Sequence, residues 1–212
     1  FYRTMTTMNL DELDIDRLRQ RRGEKWSHYP ADVLPAWVAD MDFDIAAPIR
    51  AAVEQRVALS DCGYPVAAKA TGLLDVFCER VGRRFDWHVE PGQVELFSDV
   101  VQAIYFGLLT LANEGDGVVI QPPIYPPFLG STQTTGRRPV LAPLQPGERG
   151  FEIDFDALRD SIDPGTKILL LCNPHNPTGR CFSRFELEQL AELALTFDLS
   201  IISDEIHADL VF

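Results

Sequence analysis

The sequence predicts an α/β protein in which helices cover both faces of a mostly parallel sheet, a three-layer α/β/α arrangement. Three observations predict it. From residue 98 onward, apolar runs of strand length alternate with segments of helical periodicity. The run Lys167–Cys172 is apolar without alternation, the mark of a strand buried on both faces. Gly115-Asp116-Gly117 turns a helical segment straight into a strand, and similar punctuation recurs down the chain.

Each element follows in order. Residues 1–45 are polar, then rich in Pro, Trp and Asp (Trp26, Pro30, Pro35, Trp37, Asp40, Asp42), with one short helical stretch around Leu10–Leu18. They read as an arm belonging to a smaller domain, and residues 46–212 as a large domain, truncated at its C-terminus. Ile49, Val53 and Val57 predict an amphipathic helix over Pro48–Leu59; Leu73, Leu74, Phe77 and Val81 predict a second, with Cys62-Gly63-Tyr64-Pro65 as the loop between. Ser98 is the expected cap of a helix whose apolar face is Val101, Ile104, Leu108 and Leu111. A strand (Val118–Gln121), a helix (Phe128–Thr135), a strand (Pro139–Ala142) and a helix opened by Asp154 (Phe155–Ile162) come next. After Lys167–Cys172, Ser183 with Glu186 predicts a capping box for the helix carrying Leu187, Leu190, Ala191 and Ala194. Leu199–Ser203 is the last strand.

Composition narrows the function classes. With 212 residues, 46% of them hydrophobic, the chain can bury a sizeable core. Thirty-two acidic against nineteen basic residues give a formal charge of −13, which repels phosphate backbones and anionic bilayers, so neither nucleic acid nor a membrane surface is an expected partner. No apolar run approaches the roughly 20 residues of a membrane span, and Phe1–Asp16 has no signal-peptide core. Cys62, Cys78, Cys172 and Cys181 form no CxxC pair and read as buried thiols in a reducing compartment, which points to the cytoplasm. The chain starts at Phe1 and stops just after a strand; both ends read as cut.

Parallel sheets bind ligands beyond the carboxyl ends of their strands. Three strands here are followed at once by polar or aromatic residues: Tyr125 after the first, Asn173-Pro174-His175-Asn176-Pro177-Thr178-Gly179 after the third, Ser203-Asp204-Glu205-Ile206-His207 at the fourth. Taken singly, the second could be a Pro/Gly turn and the third a helix cap or metal cluster. A buried carboxylate at a strand end is expensive unless it meets a cation.

Together and in this order, the two segments resemble the class I/II aminotransferase superfamily, whose members end one strand in NPTG and the next in DE and bind pyridoxal 5′-phosphate (PLP). The resemblance implies the PLP-dependent transferase fold type I, with residues 46–212 as its PLP-binding large domain. It implies that Asp204 pairs with the pyridine nitrogen and keeps it protonated, that Asn176 donates to the ring's phenolate oxygen, and that Tyr125 stacks on the ring. It places the cofactor phosphate on the backbone N–H groups of Asp99, Val100 and Val101 at a helix N-terminus. Phe97 and Asp99 depart from the family's glycine-containing turn there, so the Asp99 carboxylate must point away from the phosphate. Trp37-Val38-Ala39-Asp40-Met41-Asp42-Phe43, Cys62-Gly63-Tyr64 and the His of Ser203–His207 look most like the MalY/PatB-type cystathionine β-lyases, with His207 where aminotransferases carry tyrosine. In that group the Tyr64 position reaches the PLP phosphate of the neighbouring subunit, which implies a homodimer.

The resemblance puts the Schiff-base lysine downstream of the SDEIH segment, so no catalytic residue is assigned within the chain and the 212 residues alone are expected to be inactive. Lys25 and Lys69 read as solvated, and Lys167 starts a strand at the wrong edge of the sheet. His28 and His88 read as structural or solvated, and Cys172, His175 and Cys181 match no zinc spacing. The implied activity is cleavage of the Cβ–S bond of cystathionine or a related cysteine S-conjugate to a thiol, pyruvate and ammonia. A class I/II aminotransferase would share every cofactor residue, and a regulatory protein using the fold for binding stays open.

Overall fold

A computed structural model describes residues 13–148 and 150–211. The chain divides into two compact units, the first ending at Thr71 and the second starting at Gly72.

In the first unit α1 (Ile15–Leu18) is capped by Asp14, whose carboxylate accepts from the N–H groups of Asp16 and Arg17. Residues 10–12 of the predicted helical stretch lie outside the described residues. A single turn, α2 (Glu24–Ser27), and the helix α3 (Ala47–Ala58) complete the unit's α-helices among the described residues. The Trp37–Phe43 segment is fastened by cations and an indole. Lys25 Nζ donates to Asp42 Oδ2 at 2.8 Å and to the Asp40 carbonyl at 2.9 Å, Trp26 Nε1 donates to Asp42 Oδ1 at 2.8 Å, and Arg21 donates to the carbonyls of Met41, Asp42 and Phe43. Burial pushes the Asp42 carboxyl up, but these hydrogen bonds and the Lys25 and Arg21 charges outweigh it and hold the group below its usual range. Lys25 is thus 8% exposed and paired, which corrects the expectation that it is solvated. α3 forms where the periodicity predicted it, yet it buries none of its residues: Ile49, Val53 and Val57 are all more than half exposed.

The second unit opens with α4 (Leu73–Phe85), which buries Leu74 and Val81. Then come α5 (Val100–Leu111), β1 (Gly117–Ile120), α6 (Pro126–Thr134), β2 (Arg138–Leu141), β3 (Gln145–Gly147), β4 (Gly150–Glu152), α7 (Phe155–Ser161), β5 (Thr166–Cys172), α8 (Arg184–Thr196) and β6 (Ser200–Asp204). β1, β2, β5 and β6 form one parallel sheet in the order β2-β1-β5-β6. The antiparallel pair β3–β4 was not anticipated.

Alternate residues of the central strands face opposite layers. Val118, Ile120, Ile168, Leu170 and Cys172 pack against Ile104, Leu108 and Phe128 of α5 and α6. Val119, Leu169 and Leu171 pack against Leu158 of α7 and Leu190, Leu193 and Ala194 of α8. Each wholly buried aliphatic side chain contributes about 2 kcal/mol. These two cores make the predicted three-layer sandwich.

The true cap of α5 is Asp99, whose carboxylate accepts from Gln102 N at 2.8 Å; Ser98, the expected cap, instead hydrogen-bonds the Gln102 side chain. Leu111, expected on the buried face, is exposed. Arg137 is buried, pairs with no carboxylate among the described residues, and donates to the carbonyls of Ala112 and Thr135, the C-caps of α5 and α6, where helix dipoles favour a cation. Of the four free cysteines only Cys172 is buried; Cys62 and Cys181 are exposed because neither sits on a core-facing strand position.

The start of β1 is tight. A Cβ on Gly117 would lie 2.9 Å from Thr166 Oγ1 and 3.0 Å from Thr166 Cα, backbone that cannot yield. Gly117→Ala should lower stability by about 1–3 kcal/mol in urea denaturation of the full-length protein, while Gly130→Ala, with open space at Cβ, should not lower it through any clash.

Candidate active site at the carboxyl edge of the sheet

α5 ends at Leu111 and β1 begins at Gly117, so the helix runs back against the strand and its N-terminus lies at the sheet's carboxyl edge. The segments leaving β1, β5 and β6 emerge at the same edge. Four of the sequence-predicted positions therefore meet there: the Asp99–Val101 turn, Tyr125, Asn176 and Asp204.

Asp204 closes β6 in register with Cys172 of β5. It is 8% exposed. Its Oδ1 accepts from Ile206 N at 3.0 Å, and among the described residues no cation pairs with the carboxylate. The Asp204 charge and, more strongly, burial push the Cys172 thiol up, so that thiol stays protonated. Tyr125 is 42% exposed at the N-cap of α6. Asp99 caps α5 at this edge, its carboxylate accepting from Gln102 N, and the N–H groups of Val100 and Val101 have no acceptor among the described residues. His207 is half-buried and lines a cleft of about 440 Å³ with Asn176, His175, Cys181 and Leu210. Tyr64, in the first unit, is fully exposed.

The loop that carries Asn176 is bound on every side. Asn173 Oδ1 accepts from Phe182 N at 2.9 Å, His175 N donates to the Arg180 carbonyl at 2.7 Å, and Asn176 N donates to the Cys172 sulfur at 3.5 Å. Arg180 is the fastener. It grips Glu186 through two hydrogen bonds of 2.7 and 2.8 Å, donates to the Phe151 carbonyl of β4 at 2.6 Å, and lies over the Phe182 ring. Glu186 also completes the predicted capping box with Ser183. Burial pushes the Glu186 carboxyl up, but the Ser183 hydrogen bonds and the Arg180 guanidinium prevail and hold it below its usual range. Sequence reasoning missed Arg180; the available signal was an arginine directly after NPTG, six residues before a capping-box glutamate. It passed over Gln121 and weighed His175 only as a zinc ligand; both are buried, and each has a side-chain nitrogen with no hydrogen-bond partner among the described residues.

The sequence pattern of the aminotransferase class I and II family matches residues 67–212. The chain belongs to that family. It is 39% identical over 98% of its length to a putative cystathionine beta-lyase of Mycobacterium leprae (strain TN), covering 52% of that protein. It is 38% identical over 94% of its length to cystathionine beta-lyase PatB of Bacillus subtilis (strain 168), covering 53% of that protein. Among solved structures it is similar to the PLP-bound C-S lyase from Staphylococcus hominis, with a TM-score of 0.84 at 28% identity over 95% of this chain and 51% of that one. The chain thus spans about half the length of the curated relatives it matches.

The Arg180–Glu186 pair is itself nearly buried, so removing one partner strands the other. Arg180→Ala should cost about 3 kcal/mol in urea denaturation of the full-length protein. Because the folded Glu186 pKa lies below its ordinary 4.5, the pair's stabilisation is complete above that pH and fades as pH falls through the lower folded value. Glu186→Gln should therefore flatten the decline of melting temperature below about pH 4.5.

Proposed function

We propose that this chain is part of a PLP-dependent C–S β-lyase that cleaves cystathionine or a related cysteine S-conjugate to a thiol, pyruvate and ammonia. The observation that carries the reading is Asp204, a buried carboxylate that meets no cation among the described residues, at the edge where such a sheet binds its ligand. A protonated pyridine nitrogen is a fitting partner for it. The N–H groups of Val100 and Val101, without an acceptor among the described residues, suit a phosphate at a helix N-terminus, and Tyr125 is accessible enough to stack on a ring. When bound, PLP supplies an electron sink for chemistry at the substrate's α-carbon.

The chain's own residues then divide the work. Asp204 holds the proton on the ring nitrogen, and Asn176, carried on its fastened loop, donates to the ring oxygen. His207 stands beside Asn176 in the cleft. Tyr64 serves the phosphate of a second subunit in a homodimer. In the overall reaction the α-proton is removed, the Cβ–S bond breaks with its electron pair going to sulfur, and water releases pyruvate and ammonia. None of the three lysines suits the covalent role: Lys25 is paired with Asp42, Lys69 lies in the first unit on an exposed turn, and Lys167 sits near the amino edge of β5. We infer that the 212 residues alone turn over no substrate. The arm in residues 1–45 belongs, on this reading, to a smaller domain, with residues 46–212 forming the PLP-binding domain, and the free cysteines suit the cytoplasm.

A transaminase would use the same cofactor residues; the WVADMDF and SDEIH segments and the relatives' names favour the lyase. The full-length protein supplied with PLP and cystathionine should release pyruvate with no keto acid added. A requirement for a keto acid, with a new amino acid formed, would replace the lyase by a transaminase. Asp204→Ala should abolish release while moving the melting temperature little. If Asp204 only caps the turn at Ile206, the variant instead loses about 1 kcal/mol of stability and keeps its turnover per folded molecule. Mixing Tyr64→Phe subunits with subunits lacking the covalent lysine should restore activity in heterodimers if Tyr64 acts in trans, and should restore none if it acts in cis.

A further inference from the structure

We propose that Asp209, gripped by Arg80 and Arg84 of α4, is a positioning residue that fixes the turn carrying His207 beside the cleft it shares with Asn176. The inference rests on the PLP reading above, which counts His207 among the cofactor's contacts. Arg80 donates to Asp209 Oδ2 at 2.5 Å, and Arg84 pairs with Oδ1 at 2.5 Å, so each carboxylate oxygen meets its own guanidinium. The Arg80 contact joins residues 129 positions apart. The two arginines stand one turn apart on a helix seated by Val81, which is buried. Like charges at that spacing repel, and an anion between them turns the repulsion into a grip. The Arg80 hydrogen bond holds the Asp209 carboxyl below its usual range; slight burial opposes it, and the charges of both arginines add to it.

The chain that Asp209 secures has left the sheet, since β6 ends at Asp204. Its own hydrogen bonds shape a compact turn. Ile206 N donates to Asp204 Oδ1 at 3.0 Å, Ala208 N to the Glu205 carbonyl at 2.9 Å, and Leu210 N to the His207 carbonyl at 2.9 Å. The first of these ties the turn to β6 at one end. Asp209 ties it to α4 at the other, two residues past His207. Between the two moorings His207 is half-buried and lines the cleft with Asn176. No residue of α4 lines that cleft, so the arginines act on it through the turn alone.

The test is a double-mutant cycle in the full-length protein, read as the dissociation constant for pyridoxal phosphate by absorbance titration, with melting temperatures of the cofactor-free proteins alongside. Ion pairs this exposed are individually weak, so Asp209→Asn should weaken PLP binding only about threefold to fivefold. That loss should largely vanish when His207→Ala is already present, because the turn then has nothing to position. Asp209→Lys, which brings three cations together, should weaken binding further, and adding Arg80→Glu and Arg84→Glu should regain part of it. If Asp209→Asn costs the same with and without His207→Ala, it does not act through His207 and the proposal fails. An Asp209→Asn protein that loses melting temperature but keeps its affinity for PLP also overturns it, as does a His207→Ala protein that binds like the wild type or a charge reversal that regains nothing. Asp204→Ala separates these failures from a failure of the PLP reading. If it weakens binding, that reading stands whatever becomes of Asp209; if it binds PLP like the wild type, the reading falls and this proposal with it.

Discussion

Parallel pairing of β1, β5 and β6 is the constraint on which the rest depends. Parallel strands bring all their carboxyl ends to one edge, and the helices that return the chain deliver their N-termini to that same edge. Residues 77 positions apart in sequence, Asp99 and Asn176, become neighbours of one rim by topology alone. The apolar faces of β1 and β5 make that pairing stable, because Val118, Val119, Ile168 and Leu169 are wholly enclosed between two helical layers. Any loss in those layers would be felt at the rim as a change of spacing.

The rim needs more than topology, since the loops leaving the strands have no ladder to hold them. The segment from Asn173 to Phe182 supplies its own fastening through the Asn173 side chain, the Cys172 sulfur and the Arg180 guanidinium. Arg180 joins this loop both to the start of α8 and to β4, so the unanticipated hairpin serves as a strut for the site. The Asp204 carboxylate, buried at this rim and meeting no cation among the described residues, accepts from the Ile206 N–H.

The sequence made the scaffold and the motifs legible and left the fastenings hidden. Period-2 and period-3.6 patterns are set by burial, so the β5 run and the α8 capping box were read to within a residue or two. α3 shows the limit of the same signal: Ile49, Val53 and Val57 have the right spacing, but spacing does not say what covers them. Lys25 was misread because a lysine in a polar stretch gives no hint that Asp42 and the Asp40 carbonyl, fifteen or more residues away, will enclose it. Ser98 and Asp99 are both good caps, and only the backbone chose between them. Tyr125, Asn176 and Asp204 were singled out through motifs, whereas the contact of Arg180 with the Phe151 carbonyl, 29 residues away, is one that no motif records.

The arginine shared by two helix ends has a further meaning. Arg137 satisfies the last carbonyls of α5 and α6 with a charge that never titrates and against acceptors that never protonate. The opposite rim relies on carboxylates, Glu186 beneath the Asn176 loop and Asp209 against Arg80 and Arg84. Acid therefore finds purchase at both edges of the sheet: at the amino edge it reaches Asp163, which Thr166 and Arg138 hold below its usual range, but not the guanidinium and peptide oxygens that join the two helix ends beside it.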